Sequence, residues 1–566
     1  MRLSRLLSKT LREDPSEAET ASHRLMLRAG MLHQVAAGVY AYLPLALRSL
    51  AKIERIIREE MDAAGGQEVR MPALHPLDLW QATGRDQTAA AILFQLRDRR
   101  GRDLLLAPTH EEVVTSIVKA NAASYRDLPL LVYQIQTKFR DEPRPRAGLL
   151  RGREFDMKDA YSFDADWDGL DRSYQSMVEA YSNVFRRCGL PTMAVEADSG
   201  AIGGKDSHEF IMPAESGEDL VLHCRASGYA ANVERAKSIP PPAPEPDPLP
   251  LALTDTPGVI TIPDLARFLG IPEAQTLKAV FYQADGQTVL VTIRGDIEVN
   301  EVKLKNHLRA NDLRLAGPEE ARAAGLTPGS TSPIGIEGVR TIADESIRQG
   351  ANFAAGANQP DKHYVNVNYP RDFNVDEVAD IARAQAGHGS PDGAGMLEEV
   401  RGVEVGHVFK LGEFYADALG ASFIDADGAP RSIVMGCYGI GVTRLLAAAI
   451  EQNHDDRGIV FPAPIAPYHL HLVSLNPDQE QVREAADRLY DDLRADGLEV
   501  LYDDRQESPG VKFNDADLLG LPVRVVVSPR NLRDGVVELR ARRGGEPQRV
   551  PASEAAALAR AMLAEG

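Results

Sequence analysis

The chain has 566 residues, more than one hydrophobic core normally holds, so its length predicts three or four domains. It carries 63 basic and 83 acidic residues, a net charge of −20, which argues against a nucleic-acid binder coated with positive charge. The three cysteines lie far apart, so neither a disulfide framework nor a cysteine-rich zinc site is expected, and the pattern favours the cytoplasm. No apolar run is long enough for a signal core or a membrane span.

The first clear element is a helix predicted over 47–64, where apolar residues recur at helical spacing and two glycines follow. A short strand is predicted in QEVRMPAL (67–74), which contains Pro72. A long helix that leads into a strand with a proline is common in proteins, so this pair alone indicates no function.

A hairpin of two alternating strands is predicted next, in LVYQIQTKFR (131–140) and RGREFDMKDAYSF (151–163). The loop DEPRPRAGLL (141–150) connects them. A guanidinium pairs two phosphate oxygens, and a ring on the same strand face can stack on a base, so this hairpin suits ATP chemistry. The simpler alternative is a surface hairpin with solvated charges. The candidate residues are Arg140, Glu142, Arg151 and Phe155.

A second glycine-rich element is MGCYGIGVTRLLAAAIEQ (435–452). Gly439 and Gly441 permit close approach of backbone and ligand, and a helix is predicted from about Thr443. Arg444 then lies in the first helical turn, where a positive charge opposes the helix dipole and is costly for a purely structural residue.

Two segments indicate domain boundaries, the proline-rich run 239–250 and the glycine-rich run 386–395. Between them we predict an inserted α+β domain, whose expected helices include DEVADIARAQ (376–385). From about 464 onward strands alternate with helices, which predicts a small α/β domain.

Taken together, these motifs resemble those of the class II aminoacyl-tRNA synthetases. The helix and the strand that ends at Pro72 are similar to their first motif, the hairpin to their second and the glycine-rich helix start to their third. The resemblance implies that Arg140 grips the α-phosphate of ATP, Phe155 stacks on adenine and Arg444 meets the γ-phosphate. Magnesium is expected to accompany ATP, with no protein ligands assigned.

The wording of APTHEE (107–112), the hairpin, GGKDSHEF (203–210) and MGCYGIGVTR (435–444) is similar to that of bacterial prolyl-tRNA synthetases. In that family a Thr-x-Glu pair holds the imino group of proline. A secondary ammonium offers two N–H donors and one charge, which a hydroxyl and a carboxylate can satisfy. Thr109 could alternatively cap the helix that follows. The residues that the resemblance assigns to the proline pocket are Thr109, Glu111, Arg140, Met157, Asp159, Tyr161 and His208.

The inserted segment resembles the editing domain of the bacterial enzymes, which removes alanine from mischarged tRNA. A pocket for proline cannot strongly exclude the smaller alanine, because a missing methylene is worth only about 1–3 kcal/mol. The positions that match the editing site are Lys278, Gly329, Asp344 and His363.

The C-terminal domain resembles the anticodon-binding domain of several class II enzymes, and Arg505, Lys512 and Arg524 are its candidate tRNA contacts. The predicted fold is thus α+β: an antiparallel catalytic domain (1–223 and 398–463), an inserted editing domain (224–397) and an α/β anticodon-binding domain (464–566). The implied partners are L-proline, ATP, tRNA(Pro) and a second copy of the chain in a cytoplasmic homodimer.

Two alternatives remain open from the sequence. One is a class II enzyme for another amino acid, threonine being the nearest, although Cys437 lacks the partners of that family's zinc site. The other is a tRNA-binding or editing protein whose synthetic site is inactive, which the intact Arg140, Glu142 and Arg444 argue against.

Overall fold

The structure is a computed structural model that describes residues 1–16, 18–198, 200–202, 204 and 206–565. The chain forms two compact units. Unit 1 comprises 1–194, 199–219 and 401–566, and unit 2 comprises 195–198 and 220–400. Within the described ranges, no helix has the length and apolar character needed to cross a bilayer.

The helices, in chain order, are α1 (Ala21–Arg28), α2 (Pro44–Ala63), α3 (Leu77–Thr83), α4 (Arg85–Thr88), α5 (Glu111–Asn121), α6 (Trp167–Arg187), α7 (Ile262–Leu269), α8 (Glu301–Leu308), α9 (Pro318–Ala323), α10 (Phe414–Leu419), α11 (Val442–Gln452), α12 (Glu480–Ala495), α13 (Pro509–Leu519), α14 (Pro529–Arg533) and α15 (Ala555–Glu565).

The strands up to the second unit are β1 (Leu32–Ala36), β2 (Val39–Tyr42), β3 (Gln67–Glu68), β4 (Leu74–Pro76), β5 (Phe94–Arg97), β6 (Asp103–Leu106), β7 (Leu130–Phe139), β8 (Glu154–Asp164), β9 (Met193–Ala197), β10 (Asp206–Pro213) and β11 (Asp219–His223). The next are β12 (Ala230–Asn232), β13 (Ala252–Asp255), β14 (Leu277–Ala284), β15 (Gln287–Arg294), β16 (Leu313–Leu315), β17 (Arg340–Asp344), β18 (Phe353–Gly356), β19 (Lys362–Val367) and β20 (Glu377–Ala379). The last are β21 (Glu398–Gly412), β22 (Ser422–Ile424), β23 (Pro430–Ser432), β24 (Val434–Gly441), β25 (His454–Asp455), β26 (Gly458–Ile459), β27 (Leu470–Ser474), β28 (Val500–Asp503), β29 (Val523–Val527), β30 (Val536–Ala541) and β31 (Gln548–Pro551).

An antiparallel sheet organises the catalytic part of unit 1. Strands β7 and β8 form the predicted hairpin, β24 pairs with β8, and β21 pairs with both β24 and β10. At the other edge, β3 runs parallel to β7. The main hydrophobic core joins this sheet to α2, α6 and α11, and includes Ile53, Tyr181 and Leu446. Because side chains alternate along a strand, these helices cover one face and leave the other for a site.

The C-terminal part of unit 1 is the predicted α/β domain. Its five strands lie in the order β28, β27, β29, β30 and β31, and the first three are mutually parallel. Helices α12 and α15 contribute to its separate core.

Unit 2 contains a five-stranded sheet in the order β16, β14, β15, β17 and β20, and a three-stranded sheet of β13, β19 and β18. The helix predicted over 376–385 is wrong, because β20 lies there instead. Val378 pairs in parallel with Ala343, and Arg340 holds Glu377 at 2.6 Å. Sheet pairing and this ion pair therefore override the local helical pattern.

The proline-rich run 239–250 lacks helix and strand, as its composition predicts, apart from an isolated bridge between Ile239 and Gly389. It is nevertheless held within unit 2, because Pro241 O accepts a hydrogen bond from Arg294 at 2.8 Å and Pro244 O accepts one from the backbone of Ala351. The run is an anchored extended segment and not a free spacer.

Candidate active site

The register of the antiparallel sheet places the predicted site residues in rows. Asp159 lies opposite Gln134 on β7 and Gly439 on β24, and Gly439 lies opposite His407 on β21. Opposed residues point to the same side of an antiparallel sheet, and residues two apart on one strand do so as well. Asp159 and Tyr161 therefore share one face with Gln134 and His407, the face opposite α6.

One end of this face is a buried carboxylate cluster around Glu111. The Thr109 hydroxyl and the Cys437 thiol donate to Glu111 Oε1 at 2.8 and 3.1 Å. Arg85 Nη1 lies 3.1 Å from Glu111 Oε2 and 2.9 Å from Glu112 Oε1, and both glutamate side chains are fully buried. Burial is the main cause of a raised pKa of Glu112, and the charge of Glu111 adds to it. One guanidinium faces two carboxylates, so the cluster lacks one positive charge.

Thr109 does not cap helix α5. The helix begins at Glu111, its N-cap residue is His110, and no side chain forms a capping hydrogen bond there. The Thr109 hydroxyl is directed to the Glu111 carboxylate instead. The hydroxyl and the carboxylate therefore lie side by side, as a site for a secondary ammonium requires.

A second buried network surrounds Asp159. Lys138 Nζ lies 2.7 Å from Asp159 Oδ1, and the Tyr161 hydroxyl and the Gln134 amide donate to Oδ2 at 2.8 and 2.9 Å. The Tyr161 hydroxyl also accepts the backbone N–H of His110 at 3.2 Å. Burial lowers the pKa of Lys138, and the charge of Asp159 opposes that shift. The pair thus fixes the loop that precedes α5.

Two neutral histidines extend this network to the first motif. Nε2 of His75 and Nε2 of His110 each lie 3.0 Å from the carbonyl oxygen of Pro72. The Trp80 indole donates to His75 Nδ1 and Lys138 donates to His110 Nδ1, so both Nε2 atoms carry the proton and donate to Pro72. Burial lowers the pKa of His75 to about 4 and that of His110 to about 3.

Arg140 lies between the carboxylate clusters and the hairpin loop. Its guanidinium carbon is 5.2 Å from the centre of the Phe155 ring, and its Nη2 makes only a long 3.5 Å contact with Pro108 O. In the described part of the chain, its buried Nε has no hydrogen-bond partner. Burial and the nearby charge of Arg444 lower the pKa of Arg140. An unpaired, half-buried guanidinium of this kind is suited to an anionic ligand.

Two other arginines of the hairpin, Arg146 and Arg151, are paired with carboxylates. Arg151 lies 2.9 Å from Glu142 Oε2 and 2.9 Å from Glu218 Oε2, and Arg146 lies 2.5 Å from Glu218 Oε1. The Arg151 side chain is 44% exposed, so these are surface ion pairs that water and salt can weaken. The structure therefore brings together Arg151 and Glu142, two of the sequence candidates.

Arg444 lies in the first turn of α11, as the sequence predicts. Its Nε donates to the carbonyl of Leu150 at 3.0 Å. Its Nη1 donates to the carbonyl of Glu404 at 2.8 Å and lies 3.1 Å from that residue's carboxylate. These contacts tie the third motif to the hairpin and to β21.

A candidate cation position lies beside Arg444. Glu209, Glu404 and His407 each offer one ligand atom, and these three atoms lie within 4.8 Å of one another. Burial opposes ionisation of Glu404, but the hydrogen bond from His407 and the charge of Arg444 overcome it and lower the pKa of Glu404 to about 2. A permanently ionised carboxylate next to a second one is a suitable donor set for a hard divalent cation.

One sequence expectation about this sheet needs correction. His208 lies opposite Val408, which lies opposite Tyr438, so it belongs to the face covered by α6 and not to the pocket face. Its Nδ1 is 2.6 Å from the hydroxyl of Tyr174 on α6. Lys410 lies on the same covered face, with its Nζ 2.8 Å from Asp171 Oδ1 of α6.

Unit 2 places the predicted editing residues on different elements. Lys278 lies on β14 and pairs with Glu298 at 2.6 Å, and His363 lies on β19 with Nδ1 2.6 Å from the Thr256 hydroxyl. Gly329 has a positive φ of 84°, a conformation that favours glycine. Both oxygens of Asp344 accept backbone N–H groups, of Ser346 and Ile381, so this buried carboxylate holds two chain segments together.

The three anticodon candidates differ in exposure. Arg505 is partly exposed and pairs with Asp503 and Asp515, and Arg524 pairs with Asp517 at 3.1 Å. Lys512 is fully buried, and its ammonium donates to the carbonyls of Ser474 and Asp503 at 2.7 and 3.2 Å. Lys512 therefore stabilises the interior of the domain, and its predicted tRNA contact does not fit this buried position.

Sequence reasoning missed several charged residues that contact and hold the predicted site residues. Arg85, Lys138 and Glu404 lie in segments whose local pattern is typical of ordinary helix or strand and gives these residues no separate role. A partial signal existed for Glu404 and His407, since an acidic residue and a histidine lie three positions apart in an otherwise apolar stretch of strand. No comparable pattern marks Arg85.

Comparison with known proteins agrees with this geometry. The family model described as the tRNA synthetase class II core domain (G, H, P, S and T) matches residues 94–453, and the one described as the anticodon binding domain matches residues 469–562. A crystal structure of prolyl-tRNA synthetase from Cryptosporidium parvum, complexed with halofuginone and AMPPNP, superposes with a TM-score of 0.58. It covers 96% of this chain and 77% of that chain at 13% identity, which shows a shared fold.

Relatives of similar length are named proline–tRNA ligase. One from Dehalococcoides mccartyi (strain ATCC BAA-2266 / KCTC 15142 / 195) is 55% identical over 557 residues, 97% of each chain. One from Syntrophotalea carbinolica is 50% identical over 569 residues and covers 100% of this chain and 99% of its own. With a class II core, an anticodon-binding domain and this identity along the full length, the chain belongs to the proline–tRNA ligase family of class II aminoacyl-tRNA synthetases.

Proposed function

We propose that the chain joins L-proline to tRNA(Pro) in two steps, through a prolyl-adenylate. In the first step a carboxylate oxygen of proline attacks the α-phosphorus of ATP, and diphosphate leaves. In the second, a hydroxyl at the 3′ end of tRNA attacks the carbonyl carbon, the bond to phosphate breaks, and AMP leaves. The reacting carboxylate and phosphate are both anionic, so the site must hold them together against repulsion.

The observation that carries this proposal is the buried cluster of Thr109, Glu111 and Arg85. It lacks one positive charge, and the Thr109 hydroxyl lies next to the Glu111 carboxylate. The ammonium of proline supplies that charge and two N–H donors. Met157 and Tyr161 lie on the same strand face and complete the proline side of the site.

Arg140 supports the first step. Its guanidinium has an unpaired Nε and stands beside Phe155, so an α-phosphate can take the place of the missing partner while adenine stacks on the ring. Charge on the phosphate oxygens grows as the new bond forms, and a guanidinium fixed in advance stabilises that charge without reorganisation. Neither step requires a side chain to act as a general base.

The experiment is proline-dependent exchange of radioactive diphosphate into ATP, with Glu111→Gln as the decisive variant. Removing one partner of a buried charge pair costs about 2–5 kcal/mol, so we expect the kcat/KM for proline to fall by about 30- to 5,000-fold. The control is Glu179→Gln, which removes an exposed carboxylate of α6 outside the cluster and should leave exchange unchanged. Unchanged exchange in Glu111→Gln, or exchange supported by threonine and not proline, would refute the proposal.

We propose that Mg²⁺ enters with ATP and is held by Glu404 and Glu209, with His407 beside them. Two carboxylates suit a hard cation that keeps several waters or phosphate oxygens. When bound, it would neutralise phosphate charge. Isothermal titration with Mg²⁺ and a non-hydrolysable ATP analogue should show weaker cation binding in Glu404→Gln than in Glu215→Gln, an exposed control. Equal affinities would exclude this position.

We also propose that the inserted unit hydrolyses tRNA(Pro) charged with alanine. The proline pocket offers alanine no steric barrier, so discrimination by binding is limited to about 1–3 kcal/mol per missing methylene. Lys278 is mostly buried and pairs with an exposed carboxylate, so its ammonium is available to the phosphate of a tRNA end. Gly329 allows the loop around it to present backbone N–H groups.

The editing proposal is tested by deacylation of alanyl-tRNA(Pro). We expect Lys278→Ala to lose most of this activity and to retain proline activation, because Lys278 lies in unit 2 and the activation site in unit 1. Lys305→Ala, which removes an exposed lysine of the same unit, is the matched control. Wild-type deacylation by Lys278→Ala would remove this residue from the proposed site. On family resemblance we further propose a homodimer that acts in the cytoplasm.

A further inference from the structure

A group of charged residues joins the long helix α2 to the C-terminal part of unit 1. Arg48 and Lys52, one helical turn apart on α2, both contact the carboxylate of Glu499, which immediately precedes β28. Glu499 lies inside the region that matches the anticodon binding domain, whereas α2 precedes the region that matches the synthetase core. We name Arg48, Lys52 and Glu499 the charge clamp.

The clamp also holds the chain that connects the two parts. Arg48 Nε donates to the carbonyl of Pro467 at 2.7 Å, and Lys52 Nζ donates to the carbonyl of Ala466 at 2.6 Å. The Arg48 guanidinium lies 4.2 Å from the centre of the Tyr468 ring. Each cation of the clamp thus grips the connecting segment and the domain that follows it at the same time.

Glu499 is itself fixed in the C-terminal domain. Its backbone N–H donates to His469 Nδ1 at 3.2 Å, and its carbonyl accepts the N–H groups of His469 and Leu470. The Lys52 side chain is only 11% exposed. An isolated surface ion pair contributes little, but a carboxylate shared by two cations that also bind carbonyls is a network with defined geometry.

We propose that the charge clamp sets the orientation of the anticodon-binding domain and thereby positions bound tRNA for transfer. This inference rests on the proposed function. The members of the clamp are positioning residues and contact neither proline nor ATP. Activation of proline needs only the catalytic sheet, whereas transfer needs the 3′ end of tRNA to reach the adenylate while the anticodon is held elsewhere. Displacement of a reacting group by about 1 Å can reduce a rate by about 100-fold.

The test uses the full-length enzyme and the isosteric variants Glu499→Gln and Lys52→Met. We expect the kcat/KM for tRNA(Pro) in aminoacylation to fall between about 10- and 100-fold, mostly through kcat, while proline-dependent diphosphate exchange changes less than about twofold. Arg55→Gln is the matched control, because Arg55 lies on the same helix, is 65% exposed and only approaches Glu59 at 3.9 Å.

Rescue separates the clamp from a general loss of folding. The double variant Lys52→Glu/Glu499→Lys exchanges the two charges, so the ion pair can form again in reverse, and the carboxylate introduced on α2 can also pair with Arg48 one turn away. Charging should therefore recover relative to either single reversal. Unchanged charging in Glu499→Gln would overturn the proposal. An equal fall of exchange and charging would overturn it as well, since the clamp would then support only the catalytic fold.

Discussion

The two ends of the active site are built on opposite principles. At the proline end, Glu111, Asp159 and Lys138 are nearly or fully buried, and their partners are other buried groups. At the nucleotide end, Arg151 and Glu218 are 44% and 39% exposed and form surface ion pairs. The first arrangement is fixed before any ligand arrives, whereas the second consists of contacts that a ligand can exchange.

The difference follows from what each end must recognise. Proline is small, and few contacts distinguish it, so a rigid pocket with a buried charge deficit is needed to select it. A triphosphate carries several negative charges and can displace a carboxylate from an arginine at little cost. The guanidinium is paired with an anion both before and after the exchange. If the proposed function holds, the buried half selects the amino acid and the exposed half exchanges its ion-pair partners for the nucleotide.

Breaking the buried half should have the largest effect. Asp159→Asn leaves Lys138 without its counter-charge, and removal of one partner of a buried pair costs about 3–5 kcal/mol of unfolding free energy. Urea unfolding followed by Trp80 fluorescence, in a Trp167→Phe background, measures this region directly. Lys138→Met/Asp159→Asn removes both charges and should recover part of the loss. A single variant as stable as the parent would show that the pair is not buried in solution.

Acid should lower the unfolding free energy of the same half by a smaller amount for each titrating group. His75 and His110 are neutral in the folded chain, with pKa values lowered to about 4 and about 3, whereas the unfolded chain binds protons below about pH 6.5. The unfolded state therefore binds more protons, and stability falls as pH falls from 6.5 towards 4. Between pH 7 and 5 we expect about 2 kcal/mol per histidine, again by urea unfolding. A His110→Gln variant should show a shallower slope, and an equal slope would contradict the assignment.

Removing a surface carboxylate from the exposed half should have the smallest effect. It should strengthen ATP binding, whereas the changes above weaken the protein. Glu218→Gln releases Arg146 and Arg151, so ATP no longer competes with a carboxylate, and the KM for ATP should fall by about two- to fivefold, within the range of about 1 kcal/mol for surface pairs. Diphosphate exchange at varied ATP measures this, with Glu215→Gln on the same turn as the control. A raised KM would show that Glu218 supports the ATP-bound arrangement.

The position of Glu218 makes this variant informative. A Cβ on Gly217 would lie 2.2 Å from the carbonyl oxygen of Gly402, so the turn must lie directly against β21. The Ser216 hydroxyl donates to Glu451 at 2.6 Å. The carboxylate of Glu218 is thus presented from an anchored turn.

The sequence was sufficient for those parts of the fold and site that follow from local pattern. The hairpin 131–163 shows period-two alternation, and Arg444 follows glycines at a helix start, so both were found without tertiary information. The helix expected at 376–385 failed because Val378 pairs with Ala343, on a strand that lies far earlier in the chain. Local propensity carries no information about a pairing partner that lies elsewhere in the sequence.

The supporting residues failed for a related reason. Alternation shows that His208 and Asp159 each lie on one of two faces, but it does not show which face of β10 corresponds to which face of β8. That relation is set by register across β21 and β24. Likewise, Arg85 acquires its role only because it meets Glu111, 26 residues later, in the buried cluster.

The carboxylate of Glu404 lies between Arg444 and the candidate cation position, and this arrangement has a thermodynamic consequence. Its carboxylate contacts Arg444 in the ligand-free chain and also borders the candidate cation position. If a divalent cation takes this carboxylate, Arg444 becomes available to phosphate, and if phosphate takes Arg444, the carboxylate becomes available to the cation. Cation and nucleotide should therefore tighten each other's binding by the same factor, a heterotropic cooperativity that arises from one shared side chain.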